Sequence, residues 1–306
     1  MQNLFDFSNG KHFDYECLEH QICALHDKYA FLDFGNIGES ILGKSIHRIS
    51  FGKGETGVIY IASHHGMEWI TTTLLLAFLN ELCFGFVRGK NIFDISTRVL
   101  FETRRIDVIP MLNPDGVDIS IHGVDDNNIM KNRLIRMNNG SDDFSNWQAN
   151  ARGVDINHNY NAGFQEYKII ERSNGILNGC PSKYSGEYPE SEPETKAICS
   201  FVRATQPRLA LTLHTQGEEI FYTSGERMAS KSLPIVQTLS RLTGYKISIP
   251  TGTAVYGGFT DWFIDEFSSP SFTLECGRGT NPLPFSDLES IYESIKRALF
   301  TAPILI

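Results

Sequence analysis

The stretch that decides the fold runs from Val58 to Leu82 and reads VIYIASHHGMEWITTTLLLAFLNEL. It opens with an apolar run, Val58 to Ala62, that is β-branched or aromatic except at its end, the pattern of a buried strand. The run stops at Ser63 and His64. His65-Gly66-Met67-Glu68 follows, and then an apolar-periodic segment that reads as an amphipathic helix. His65 and Glu68 therefore lie three residues apart at a strand-to-helix corner. Positions i and i+3 of a helical turn are neighbours, so an imidazole and a carboxylate can reach one ion there. Zinc takes such N and O ligands at about 2.0–2.2 Å. The same pair also fits an ordinary helix N-terminus, with Glu68 a first-turn acid favoured by the helix dipole. The rest of the chain has to separate the two readings.

The 306 residues suffice for one large α/β domain or two small ones, and 41% hydrophobic with 21% charged residues supports a sizeable core. A net charge of −9 without a Lys/Arg cluster argues against nucleic acid or an anionic membrane as the main partner. The N-terminus, MQNLFDFSNGKHFDYE, shows no basic region followed by a long apolar segment, so a cytoplasmic location is expected. No uninterrupted run of about 18 apolar residues exists. Six cysteines (Cys17, Cys23, Cys83, Cys180, Cys199 and Cys276) form no CxxC pair and are expected to be free thiols.

Residues 12–30 read as a first helix, 31–36 and 44–51 as strands with a turn at Gly38 to Gly43, and Val99 to Val108 as a strand. Asn113-Pro114-Asp115-Gly116 is a strong turn sequence. Residues 122–152 and 163–190 read as long polar loops. Ser191 with Glu194 resembles a capping box for a helix reaching Thr205. Leu209 to Leu213 is a strand ending at His214, and Ser271 to Leu274 one ending at Glu275. Helices are expected over Ser230 to Thr243 and Asp287 to Phe300. Alternating strands and helices, with no composition shift or repeat, predict one α/β domain over residues 1–306 with a mixed, mostly parallel sheet.

Candidate functional groups now fall at equivalent places. His65 and Glu68 follow one strand, His214 ends a second and Glu275 ends a third. In open α/β sheets ligands bind outside the carboxyl ends of the strands. Two histidines and one carboxylate make a catalytic type of zinc site with one position left for water, which ionises near neutral pH. Glu275 is then placed to act as general base.

The ordered set His65-Gly66-Met67-Glu68-Trp69, Asn113-Pro114-Asp115-Gly116, Gly153-Val154-Asp155-Ile156-Asn157-His158-Asn159, Ser191-Glu192-Pro193-Glu194-Thr195, Leu213-His214-Thr215, Asp261-Trp262 and Phe272-Thr273-Leu274-Glu275 resembles the zinc carboxypeptidase family over nearly the whole chain. The resemblance implies one zinc per chain held by His65, Glu68 and His214, with Glu275 as catalytic carboxylate. It also implies Asp155 as the partner that fixes the His65 tautomer.

The chain departs from the family pattern at His158, where typical exopeptidases carry an arginine that pairs with the substrate's terminal carboxylate. An imidazole does not form that bidentate contact. Asn157 and His158 remain candidate substrate contacts, and Tyr256, close before Asp261-Trp262, is a further one. For the arginine that polarises the scissile carbonyl, Arg136 is the favoured match, counting back from Gly153 lands on Gln148 instead, and Arg152, adjacent to the motif, is a third candidate. The segment Asn146 to Arg152, with His158 after it, is similar to a bacterial branch that cuts γ-D-glutamyl-meso-diaminopimelate bonds in peptidoglycan stem peptides. A murein-derived peptide is therefore the expected substrate. The alternatives are an ordinary metallocarboxypeptidase, a zinc deacylase of small N-acyl amino acids, and an inactive binding protein, although the last would require loss of one of four residues that are all present. The sequence sets no oligomeric state.

Overall fold

Each face of strand β3 (Thr56–Ala62) packs a different core, and that alternation organises the molecule. The computed structural model describes residues 12–126 and 129–306. Residues 1–11, on which the expectation about an export signal largely rests, lie outside the described residues. So do 127 and 128 of the long polar segment.

In chain order the elements are α1 (Tyr15–Lys28), β1 (Asp33–Glu39), β2 (Ser45–Phe51), β3, α2 (Ile70–Val87), β4 (Asn91–Ile92), β5 (Ile95–Ser96), α3 (Thr97–Thr103), β6 (Arg104–Ile109), α4 (Pro114–His122), α5 (Lys131–Met137) and α6 (Phe164–Ser173). They continue with α7 (Pro193–Thr205), β7 (Leu209–His214), β8 (Glu219–Phe221), α8 (Ser232–Thr243), β9 (Lys246–Ile247), α9 (Phe259–Phe267), β10 (Ser271–Glu275) and α10 (Leu288–Thr301). Eight strands form one twisted sheet in the order β1-β2-β6-β3-β7-β10-β8-β9. β6, β3, β7 and β10 run parallel, β1 and β2 pair antiparallel with their neighbours, and β8 pairs antiparallel with β10 and parallel with β9. The molecule is a single α/β domain with helices on both faces.

Val58, Tyr60 and Ala62 face a core shared with α1, α2, α8 and α10, and the Tyr60 hydroxyl donates to the Leu299 carbonyl at 2.7 Å. Ile59 and Ile61 face the opposite core with α7 and α9. A strand buried on both faces must be apolar at every position, which is why Val58 to Ala62 lacks polar alternation.

Four local expectations are corrected. α2 is not amphipathic. Its residues from Ile70 to Leu79 are all buried, so it is apolar around its circumference and lies in the core. It is also long and apolar enough to cross a membrane by composition, but most of it is buried inside the protein. Residues 99–103, expected as strand, belong to helix α3. Ser96 accepts the Val99 N–H at 3.3 Å and starts α3, which lays Phe101 on Phe86 with ring centroids 4.4 Å apart. The two polar segments carry helices α5 and α6. Ser191 and Glu194 form no capping box. Glu192 precedes Pro193 at the helix start, Ser191 bonds Asn159 and Glu192, and Glu194 accepts from Ile41 N–H and the Asn150 amide. Their bonding capacity goes to distant chain segments. All six cysteines are free, and Cys276 is buried.

The corner after β3 is fixed by close backbone approach. A Cβ on Gly66 would sit 2.2 Å from the Gly116 carbonyl oxygen, so only glycine fits. Gly66 and Met67 N–H groups donate to the carbonyls of Gln148 and Trp147, each at 3.0 Å. Asn113 ties the knot. Its side-chain oxygen caps α4 at Gly116 N–H (2.9 Å), and its amide donates to the carbonyls of His64 (3.0 Å), Gln148 and Ala149 (both 3.2 Å).

Asn113→Ala removes a helix cap and leaves buried carbonyls unpaired, so a loss of about 2–4 kcal/mol is expected. Urea unfolding of the variant beside the wild type checks this, with the exposed Arg241→Ala, expected within about 0.5 kcal/mol of wild type, as control.

Candidate metal centre and cleft

Sheet register brings the candidate groups together. Glu275 is the parallel partner of His214, and Leu213 that of Ala62, so three strand ends meet at one edge. The turn after β3 adds His65 and Glu68. His65 Nδ1 lies 2.9 Å from Glu68 Oε1, His214 Nδ1 lies 3.0 Å from Glu68 Oε2, and the two Nδ1 atoms are 3.3 Å apart. Glu68 and His214 are buried.

His65 Nε2 is 3.1 Å from Asp155 Oδ1, whose other oxygen accepts the Lys183 N–H at 3.0 Å. A proton on Nε2 satisfies Asp155, and it leaves the Nδ1 lone pair facing a carboxylate oxygen. Two acceptors at 2.9 Å repel unless something positive lies between them. One remedy is a second proton. Burial opposes it, but the Glu68 and Asp155 charges outweigh burial and push His65 well up. Burial likewise opposes the ionisation of Glu68, yet the two histidines bring it down to about 2. The other remedy is a cation. Two imidazole nitrogens and a carboxylate oxygen, all within 4.8 Å of one another, are the donor set of a borderline metal ion, so the residues fit zinc.

His65 and His214 line a cleft of about 200 Å³ together with Gln148, Asp155, Asn157, His158, Lys183, Thr260, Asp261, Thr273 and Glu275. Burial first, and then the Glu68 charge, push Glu275 up to about 8. A bound dication acts in the opposite sense. His158 is not a cationic clamp. Its Nδ1–H donates to the Tyr256 carbonyl at 2.9 Å, its ring stacks on Tyr167 at 4.0 Å, and burial lowers its pKa, which keeps it neutral. Asn157 lines the cleft and accepts the Phe259 N–H through its side-chain oxygen.

Three expected residues, Arg136, Arg152 and Tyr256, do not line the cleft. Arg136 is exposed on α5: that helix packs through Leu134, and a residue two positions on lies about 200° around the axis, on the solvent side. Arg152 points to the other side of the chain, 3.7 Å from Glu192. Gln148 alone of the three alternatives lines the cleft. Tyr256 packs its ring against Gly163, where an added Cβ would lie 2.4 Å away, and it serves His158 through its carbonyl.

A model of the zinc carboxypeptidase family matches residues 20–297. The chain belongs to the zinc carboxypeptidase family. It is a zinc-family metallopeptidase, and so a hydrolase. A γ-D-glutamyl-L-diamino acid endopeptidase of Lysinibacillus sphaericus is 36% identical over 287 residues, which cover 93% of this chain and 71% of the relative. An uncharacterized protein of Bacillus subtilis, YqgT, is 31% identical over 95% of this chain and 77% of its own length. Among solved structures, thrombin activatable fibrinolysis inhibitor superposes with a TM-score of 0.75 at 20% identity, over 100% of this chain and 79% of that one. The murein-tripeptide amidase MpaA of Escherichia coli O157 gives 0.52 at 20%, over 87% and 91%. At such identities the two structures establish the shared fold.

The sequence reading missed Lys183. Among the described residues it is the only lysine or arginine lining the cleft, and its Nζ has no partner among them. No local pattern marks it, because its place is set by Asp155.

Asp155→Asn keeps the shape but removes the charge that orients His65. Metal affinity is expected to fall about 10–100-fold, read by competition with a chromogenic chelator.

Proposed function

We propose that this metallopeptidase hydrolyses the bond between γ-D-glutamate and diaminopimelate in peptidoglycan-derived peptides. The observation that carries the reading is the neutral, stacked His158 where ordinary exopeptidases hold an arginine. The similarity to the γ-D-glutamyl-L-diamino acid endopeptidase supports the choice of substrate.

In this reading His65, Glu68 and His214 hold one zinc. Zinc at such a site polarises a carbonyl and lowers the pKa of water to about 7. The chain's own residues do the rest. Asp155 holds the His65 tautomer. Glu275, at the end of β10, accepts the proton of the attacking water and delivers it to the departing amine nitrogen as the C–N bond breaks. Gln148 offers a neutral amide donor towards the scissile carbonyl, the role considered for Arg136. Asn157 and His158 form the polar wall against which the substrate lies.

Lys183 supplies the positive charge that His158 does not. A γ-linked glutamate keeps its α-carboxylate free beside the scissile bond, whereas an α-linked residue does not. Lys183 adopts a left-handed backbone (φ 68°) that non-glycine residues rarely take, held by its N–H on Asp155 and its carbonyl on the Tyr167 hydroxyl at 3.0 Å. These bonds fix the Lys183 backbone, and its exposed side chain lines the cleft.

Three experiments test the proposal. Glu275→Gln is expected to keep metal and fold while kcat falls by at least about 10³-fold; a fully active variant removes Glu275 from the mechanism. Mass spectrometry of L-Ala-γ-D-Glu-meso-diaminopimelate beside an α-linked peptide should show cleavage of the first alone. Cleavage of the α-linked peptide alone would make the protein an ordinary carboxypeptidase. Lys183→Met is expected to raise KM about 10-fold for the γ-linked peptide with little change in kcat, the loss of one charge-assisted contact.

A further inference from the structure

A second set of metal-ligating side chains lies far along the chain from the catalytic residues. Asp14 caps α1 by accepting the Cys17 N–H on Oδ1 at 2.9 Å, which turns Oδ2 outward in a fixed direction. His122, in the last turn of α4, brings Nε2 to 2.9 Å from that oxygen. His12 brings its own Nε2 to 3.9 Å from the same oxygen. The two rings meet edge to face with centroids 5.3 Å apart. One ligand atom from each residue lies within 4.8 Å of the others.

A helix cap and a His–Asp pair account for Asp14 and His122, but they leave His12 unexplained. At 3.9 Å its nitrogen is too far for a hydrogen bond, yet it is turned to the oxygen that His122 already uses. Two imidazole nitrogens converging on one carboxylate oxygen form an N,N,O set. That set suits zinc-class ions and not magnesium or calcium, which require oxygen donors. The field of the helices is balanced here. The N-terminus of α1 disfavours a cation, and the C-terminus of α4 favours it. Asp118, one turn before His122, adds negative charge while accepting the Tyr15 N–H at 3.0 Å, and Lys44 pairs with its other oxygen.

We propose that His12, Asp14 and His122 form a second, structural site for a zinc-class divalent cation. The ion clips the start of α1 to the end of α4. The other end of α4 is held by its own cap at Asn113, so the clip stabilises the α1–α4 junction without reaching the catalytic corner. Neither ring has a hydrogen-bond partner for its second nitrogen among the described residues. Affinity is therefore expected about 10–100-fold below that of an otherwise similar site with oriented rings.

The test is metal analysis of the full chain after dialysis against micromolar free zinc, on the wild type, His12→Gln, His122→Gln and the double variant. The wild type is expected to retain one zinc more than each variant, and added zinc to raise its Tm further than theirs, with magnesium without effect. Peptidase activity stays at the wild-type level throughout, because none of these residues borders the cleft. Equal zinc content in the wild type and the double variant overturns the proposal. Loss of the extra zinc in His122→Gln but not in His12→Gln overturns the three-ligand site, because a simple His122–Asp14 pair predicts that result.

Discussion

At the centre of this molecule a histidine nitrogen and a carboxylate oxygen face each other at 2.9 Å with Asp155 claiming the proton on the far side of the ring. That arrangement is unfavourable without positive charge, and the surrounding structure exists to hold it. Glu68 is fixed by the turn that Gly66 allows, His214 by the register of β7 against β3, and Asp155 by its bond from Lys183. A site that keeps its repelling donors together before the ion arrives spends folding free energy on preorganisation, which the ion returns on binding.

The same wall sets chemistry and specificity. Asp155 fixes the His65 tautomer with one oxygen and the Lys183 loop with the other, while Tyr167 stacks on His158 and accepts no charge. Under the proposed function, the positive charge offered to substrate comes from the loop at 183 and not from position 158. This gives a physical reason why a chain with the zinc carboxypeptidase fold need not trim ordinary peptide C-termini. The fold is common to many members, and the substrate is decided by the loops that close on the strand ends.

Local sequence carried much of the site because strand ends are visible in sequence. His65, Glu68, His214 and Glu275 each stop or follow an apolar run, and runs buried on both faces are hard to mistake. The errors share a cause. Ser191 and Glu194 looked like a helix cap, and their bonds went to Asn159, Asn150 and Ile41, far away in the chain. Residues 99–103 looked like strand, and the Phe86–Phe101 contact needed a helix. Arg136 matched a motif, and one buried leucine two residues earlier rotated it into solvent. In each case long-range packing overrode a short pattern.

The sequence by itself determined the donor chemistry, the strand that carries it and the sheet-and-helix class, because apolar periodicity is a local property. Only the tertiary structure decided which polar loop residues face the cleft. Gln148 is placed by the Gly66 N–H on its carbonyl, and Lys183 by Asp155. Hydrogen bonds between segments 28 to 82 residues apart leave no period in the sequence, so no local reading could rank Gln148 above Arg136 or find Lys183 at all.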